Sequence, residues 1–166
     1  MRKFMYLSLI ERLKQLKDET GEPVIRTFDL WNEQVAFIEQ EKAFDTPAVF
    51  IEFMPLKWTD LSGGCQQANA TLRLHIVTAW NGSARDGSAS QRQVLERFDL
   101  LDSIDRLLFN AGDRCDTAAF CMMRRSGSAT NHNHEELVED ISDYTCLATE
   151  NIRTEKAAPA TPVADG

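Results

Sequence analysis

Apolar residues at Tyr6, Leu9, Ile10, Leu13 and Leu16 recur three and four positions apart. That spacing predicts one apolar stripe on a helix over residues 2–18. Glu11, Arg12, Lys14 and Lys17 fall mostly off the stripe, and Gly21 and Pro23 supply the stop. Residues 24–31 then alternate as a strand. Residues 32–42 show neither period. Residues 48–54 are apolar on both faces except at Glu52, which predicts a strand inside a sheet. A polar stretch over 56–69 reads as a loop. Beyond it, residues 70–80 alternate with Leu72, Leu74 and Ile76 one way and Thr71, Arg73 and His75 the other.

A turn-rich loop over 81–88 leads to a second helix from Gln91. Ser90 and Gln93 have capping-box spacing. Val94, Phe98, Leu101, Ile104 and Leu108 form its predicted buried stripe, and Asn110, Ala111 and Gly112 end it. Two more strands are predicted over 116–125 and 137–151, joined by a loop at 126–131. The layout is one α+β domain over residues 1–152: a mainly antiparallel sheet covered on one face by two helices. Residues 153–166 lack large apolar side chains, so they are expected to form a disordered tail.

Length and charge sharpen this. A chain of 166 residues suits one core. Acids outnumber bases by 26 to 18, a net −8, which argues against direct nucleic-acid binding because that affinity comes largely from Lys and Arg on phosphates. The basic and apolar start is broken at Glu11, Arg12 and Lys14, too soon for a secretory signal or a membrane span of ~20 residues. Cys65, Cys115, Cys121 and Cys146 form no CxxC pair and read as free thiols in a reducing cytoplasm.

Chemistry is sparse. His132 and His134, with Glu135 and Glu136 beside them, suggest a metal site, but no paired-cysteine pattern accompanies them. His75 is a candidate general base, yet its mid-strand place favours a pairing or surface role. Cys121, between Phe120 and Met122, reads as a buried small hydrophobe. The acids Asp99, Asp102, Glu139, Asp140 and Asp143 read as solvated positions. Gly63 and Gly64 lack the Lys of a phosphate loop, and no GxSxG is present. Assembly has more in its favour: Trp58 and Trp80 at strand ends, polar inserts at 56–69 and 126–136, and a sheet edge that needs cover.

Three stretches then matter together: Leu7 with Ile10, Glu11, Arg12 and Leu13; Asp29-Leu30-Trp31-Asn32-Glu33-Gln34; and Thr46-Pro47-Ala48-Val49-Phe50-Ile51-Glu52-Phe53. With Leu72 to Thr78 and the later Leu101-Asp102-Ser103-Ile104-Asp105, they resemble the tail-terminator, or tail-completion, proteins of tailed bacteriophages and prophages. The resemblance spans residues 1–152. It implies a small subunit of a ring, typically hexameric, that caps the tail tube and helps join tail to head. It implies tail-tube and head-connector partners, no small-molecule substrate, no cofactor, no metal and no catalytic residues. It also implies a life in the host bacterial cytoplasm and then in the virion tail or neck, without a membrane. Trp58, Arg124 and Arg125 are the interface residues expected on that reading. Alternatives are another head–tail connector or neck protein, or a metal-dependent enzyme using His132 and His134.

Overall fold

The alternating run through Leu72, Leu74 and Ile76 becomes the spine of the sheet. The structure, a computed structural model, describes residues 1–35, 44–80, 82–132 and 136–153. Along the chain come α1 (Arg2–Leu13), β1 (Thr27–Leu30), β2 (Ala48–Phe53), β3 (Thr59–Asp60), β4 (Cys65–Ala79), α2 (Gln91–Leu108), β5 (Asp113–Arg114), β6 (Ala118–Asn131) and β7 (Leu137–Asn151). The strands lie in the order β1-β2-β4-β7-β6-β5, with β3 on β4. Only β1 and β2 run parallel; the other pairs are antiparallel. This is the predicted α+β class, with both helices on one face.

Period two explains which side chains go where. Leu72, Leu74 and Ile76 meet Met5, Leu9 and Leu13 of α1 and Ile104 and Leu108 of α2 in the main core. Val49 and Ile51 of β2 and Phe120, Met123, Tyr144 and Cys146 of β6 and β7 complete it. Gly112 brings the chain after α2 down onto β6. A Cβ there would stand 2.8 Å from the Phe120 carbonyl oxygen and 3.0 Å from Cys121 Cα. The other sheet face is not simply wet. A second cluster of Val35, Ala48, Phe50 and Val77 covers part of it, with Trp31, Phe44 and Leu137 packed against it.

Several local expectations change. α1 stops at Leu13 rather than near residue 18. Asp18 explains the early stop: its carboxylate accepts from the Thr20 amide and hydroxyl and from the Glu22 amide, a local turn that competes with helix. Its pKa is accordingly lowered, first by the Thr20 hydroxyl. The buried stripe is Met5, Leu9 and Leu13, while Tyr6, Ile10 and Leu16 sit at its margin. The first strand shrinks to four residues.

β4 starts at Cys65, inside the stretch read as a loop, because β7 pairs with it from Cys65↔Asn151 to Ala79↔Leu137. Residues 126–131 are likewise strand, held by pairing with β7 as far as Asn131↔Glu139. Ladder bonds to a long neighbour override weak strand propensity in both places. The Ser90–Gln93 capping box does not form; Ser90 Oγ instead accepts from the Ser83 amide and donates to its carbonyl. Phe98, expected in the core, is 48% exposed, because the buried face of α2 is centred on Val94, Ile104 and Leu108. Residues 36–43 and 154–166, which include most of the unassigned segment and nearly all of the tail, lie outside the described residues.

Candidate functional site

On the face opposite α1 and α2, β2, β4 and β7 bring Glu52, His75 and Glu139 together by register. His75 Nδ1 lies 2.5 Å from Glu139 Oε1 and Nε2 lies 3.3 Å from Glu52 Oε2. His75 and Glu139 are each only 4% exposed. Asn131 Nδ2 donates to the second Glu139 oxygen at 2.9 Å. Trp31 stacks flat on the imidazole, with ring centroids 3.6 Å apart. Each ring nitrogen faces a carboxylate of a different strand, so the imidazole bridges β2 and β7 across β4. His75 therefore pairs, as one of its expected roles required, and is buried rather than on the surface.

Beside it, Arg73 grips Asp143 with two bonds, Nε at 2.8 Å and Nη2 at 3.1 Å. The bond from Arg73 holds the Asp143 carboxyl below the usual carboxylate value. A depressed folded pKa means stability present above the unfolded value of about 4 and lost as pH falls through the folded one. Asp143→Asn is therefore expected to lower stability by about 1 kcal/mol at neutral pH. The gap from the unmodified chain should close in acid, and urea midpoints at pH 7 and pH 3 would show it.

The acids read as solvated thus include three that are engaged: Asp143, Glu139 and Asp140. Asp140 is buried on the other face, where it accepts from Thr130 Oγ1 at 2.7 Å and lies 3.3 Å from Arg97 Nε. Pairing with β7 brought these carboxylates inside, a signal that no single stretch of sequence carries.

The interface candidates separate. Trp58 is half-buried against the main core, in a cleft of about 380 Å³ with Met5, Phe53 and Leu56. It contributes to packing and does not stand free. Arg125 reaches back to Asp105 of α2, which also accepts from the Tyr144 hydroxyl. Burial, and then that bond, push the Tyr144 pKa up.

Arg124 is exposed, with its guanidinium carbon 4.2 Å over the Phe109 ring. Its Nη1 donates to Asn110 Oδ1 at 2.9 Å and to the Met123 carbonyl at 3.1 Å. Phe109 is 65% exposed and Met122 54% exposed. Neither was singled out by periodicity, because Phe109 closes a helix and Met122 sits in a strand bulge.

Other candidates resolve differently. His132 is exposed and stands edge-on to Trp80, 5.9 Å between centroids, while His134 and Glu135 lie outside the described residues. Among the described residues, no group of three metal-ligating side chains gathers. Cys121 is exposed; the buried thiol is Cys146, whose pKa burial pushes up to about 11. No described helix is long and apolar enough to cross a membrane.

The sheet edges also differ. At β1, the Leu30 amide donates to Asp29 Oδ1 and the Leu30 carbonyl accepts from Gln34 Nε2, so nearby side chains cap the last residue of that edge. At β6, β5 covers residues 119–120 and the 110–111 turn covers Met123. From Arg125 to Asn131, no strand among the described residues pairs on the outer side. Compared with known proteins, the chain matches no family model and no curated sequence.

Proposed function

We propose that the protein is a structural subunit of a tailed bacteriophage or prophage, a tail terminator that closes into a ring, caps the tail tube and helps join tail to head. The resemblance over residues 1–152 supplies the identity of the role. The observation that carries assembly is the unequal pair of sheet edges: Leu30 at the end of β1 is capped by Asp29 and Gln34, whereas no described strand pairs on the outer side of the last seven residues of β6. An open edge offers a row of backbone donors and acceptors to another chain. Its side chains there, from Ser126 to Asn131, are small or polar and carry no Lys or Pro to block pairing. Received by a different surface of the next copy, it gives a contact between unlike patches, and such contacts close into rings when the rotation per subunit divides a circle.

This role needs no catalysis and no cofactor. The partners would be further copies of the chain, tail-tube protein and a head connector, first in the host bacterial cytoplasm and then in the virion. Electron microscopy of the concentrated chain mixed with tail tubes is the test. Rings, free or seated at one tube end, are expected. Bare tube ends with only single subunits in the background would overturn the reading.

A further inference from the structure

We infer that the corner formed by Phe109, Met122 and Arg124 is a knob that docks into the groove between α2 and the 15–24 segment that follows α1 in a second copy of this chain, an inference that rests on the ring reading above. The knob is built rather than incidental. Two of the three non-glycine residues with positive φ lie in it, Asn110 at 59° and Met122 at 57°. Asparagine tolerates that conformation; for methionine it is an outlier, and such outliers gather where function fixes the backbone. The surrounding bonds hold the corner rigid: the Asn110 amide donates to the Met123 carbonyl, and the Met123 amide donates to the Ala111 carbonyl.

Met123 is fully buried while Met122 beside it projects into solvent. The outcome is an exposed phenylalanine, an exposed methionine and an arginine already stacked in place, the residue types enriched in protein interfaces. Among the described residues Arg124 donates through Nη1 alone, which leaves Nε and Nη2 as donors for a partner.

The groove has the complementary chemistry. It measures about 520 Å³, with Leu16, Val24 and Leu100 as apolar lining and Glu96, Asp99 and Lys17 among its polar residues. Glu96 is ion-paired with Arg92 at 3.4 Å, on the exposed side of α2. Asp99 is exposed, and its carboxylate has no bond within the described residues. It is the natural counter-ion for Arg124 of another copy, while the apolar floor receives Phe109 and Met122. Asp99 and Phe109 are ten residues apart along one helix, about 15 Å at 1.5 Å per residue, so knob and groove are separate patches on each subunit. Such a contact runs head to tail. The knob also sits at the start of the open β6 edge, so one neighbour would cover both.

A charge swap tests this on the full chain, read by light-scattering mass after gel filtration. Arg124→Asp alone and Asp99→Arg alone should each weaken self-association at least tenfold, and the double variant should recover it. Both positions are exposed, and circular dichroism checks that every variant folds. If the unmodified chain assembles and the single variants assemble equally well, or the double variant fails to recover, this interface is wrong while the ring reading stands. If the unmodified chain assembles neither alone nor at tail-tube ends, both fall.

Discussion

His75→Ala is expected to destabilise the fold by roughly 3 kcal/mol, because it leaves the buried Glu139 carboxylate short of its nearest partner and empties the space beneath Trp31. His75 and Glu139 lie almost wholly out of water, 2.5 Å apart. Without the imidazole, Glu139 keeps its buried position and its bond from Asn131 but loses the 2.5 Å contact. Trp31 also loses the ring on which it stacks, so the cover over the second face should loosen. Adding Glu139→Gln removes the charge that made the first change costly. The double variant should therefore cost less than the sum of the two single ones, the mark of direct coupling. Urea unfolding of the four proteins gives the cycle. A loss under about 1 kcal/mol for His75→Ala would mean that the cluster is not structural.

Phe120→Ala should cost a similar amount, roughly 3–5 kcal/mol, for a different reason. Its ring is fully buried beneath α1, edge-on to Phe4 with centroids 5.8 Å apart. Truncation removes apolar contact and leaves a cavity bounded by the α1 helix and the sheet, which collapses only in part. The informative control is Phe98→Ala, in the stripe that periodicity assigned to the core. Because Phe98 is nearly half exposed, its loss should change stability by no more than about 0.5 kcal/mol. Thermal melting of the two variants side by side separates them. Equal losses would show that Phe98, and with it the face of α2, is misplaced.

These residues also show what the chain makes legible on its own. Alternation at Leu72, Leu74 and Ile76 reports a local geometry, and it named the right face of β4. The spacing of Val94, Ile104 and Leu108 likewise oriented α2, with Phe98 falling to one side of the buried arc. Strand lengths were harder, because residues 65–69 and 126–131 are strand on account of β7 and not of their own composition. The same partner explains the hidden site. Glu52, His75 and Glu139 come from three strands, separated by 23 and 64 positions along the chain, and nothing local marks them as neighbours. Arg124 entered, with Trp58 and Arg125, as an interface residue expected from the family resemblance. Its platform, Phe109 and Met122, depends on two turns whose backbone departs from the helical and extended regions and leaves no period to read.

Native mass spectrometry of the full chain across a wide range of concentration tests the ring most directly. Unlike surfaces that close on themselves predict one discrete oligomer growing at the expense of the monomer, with no larger series above it. A chain that lengthens without limit, or that stays monomeric both alone and with tail tubes added, would contradict the account.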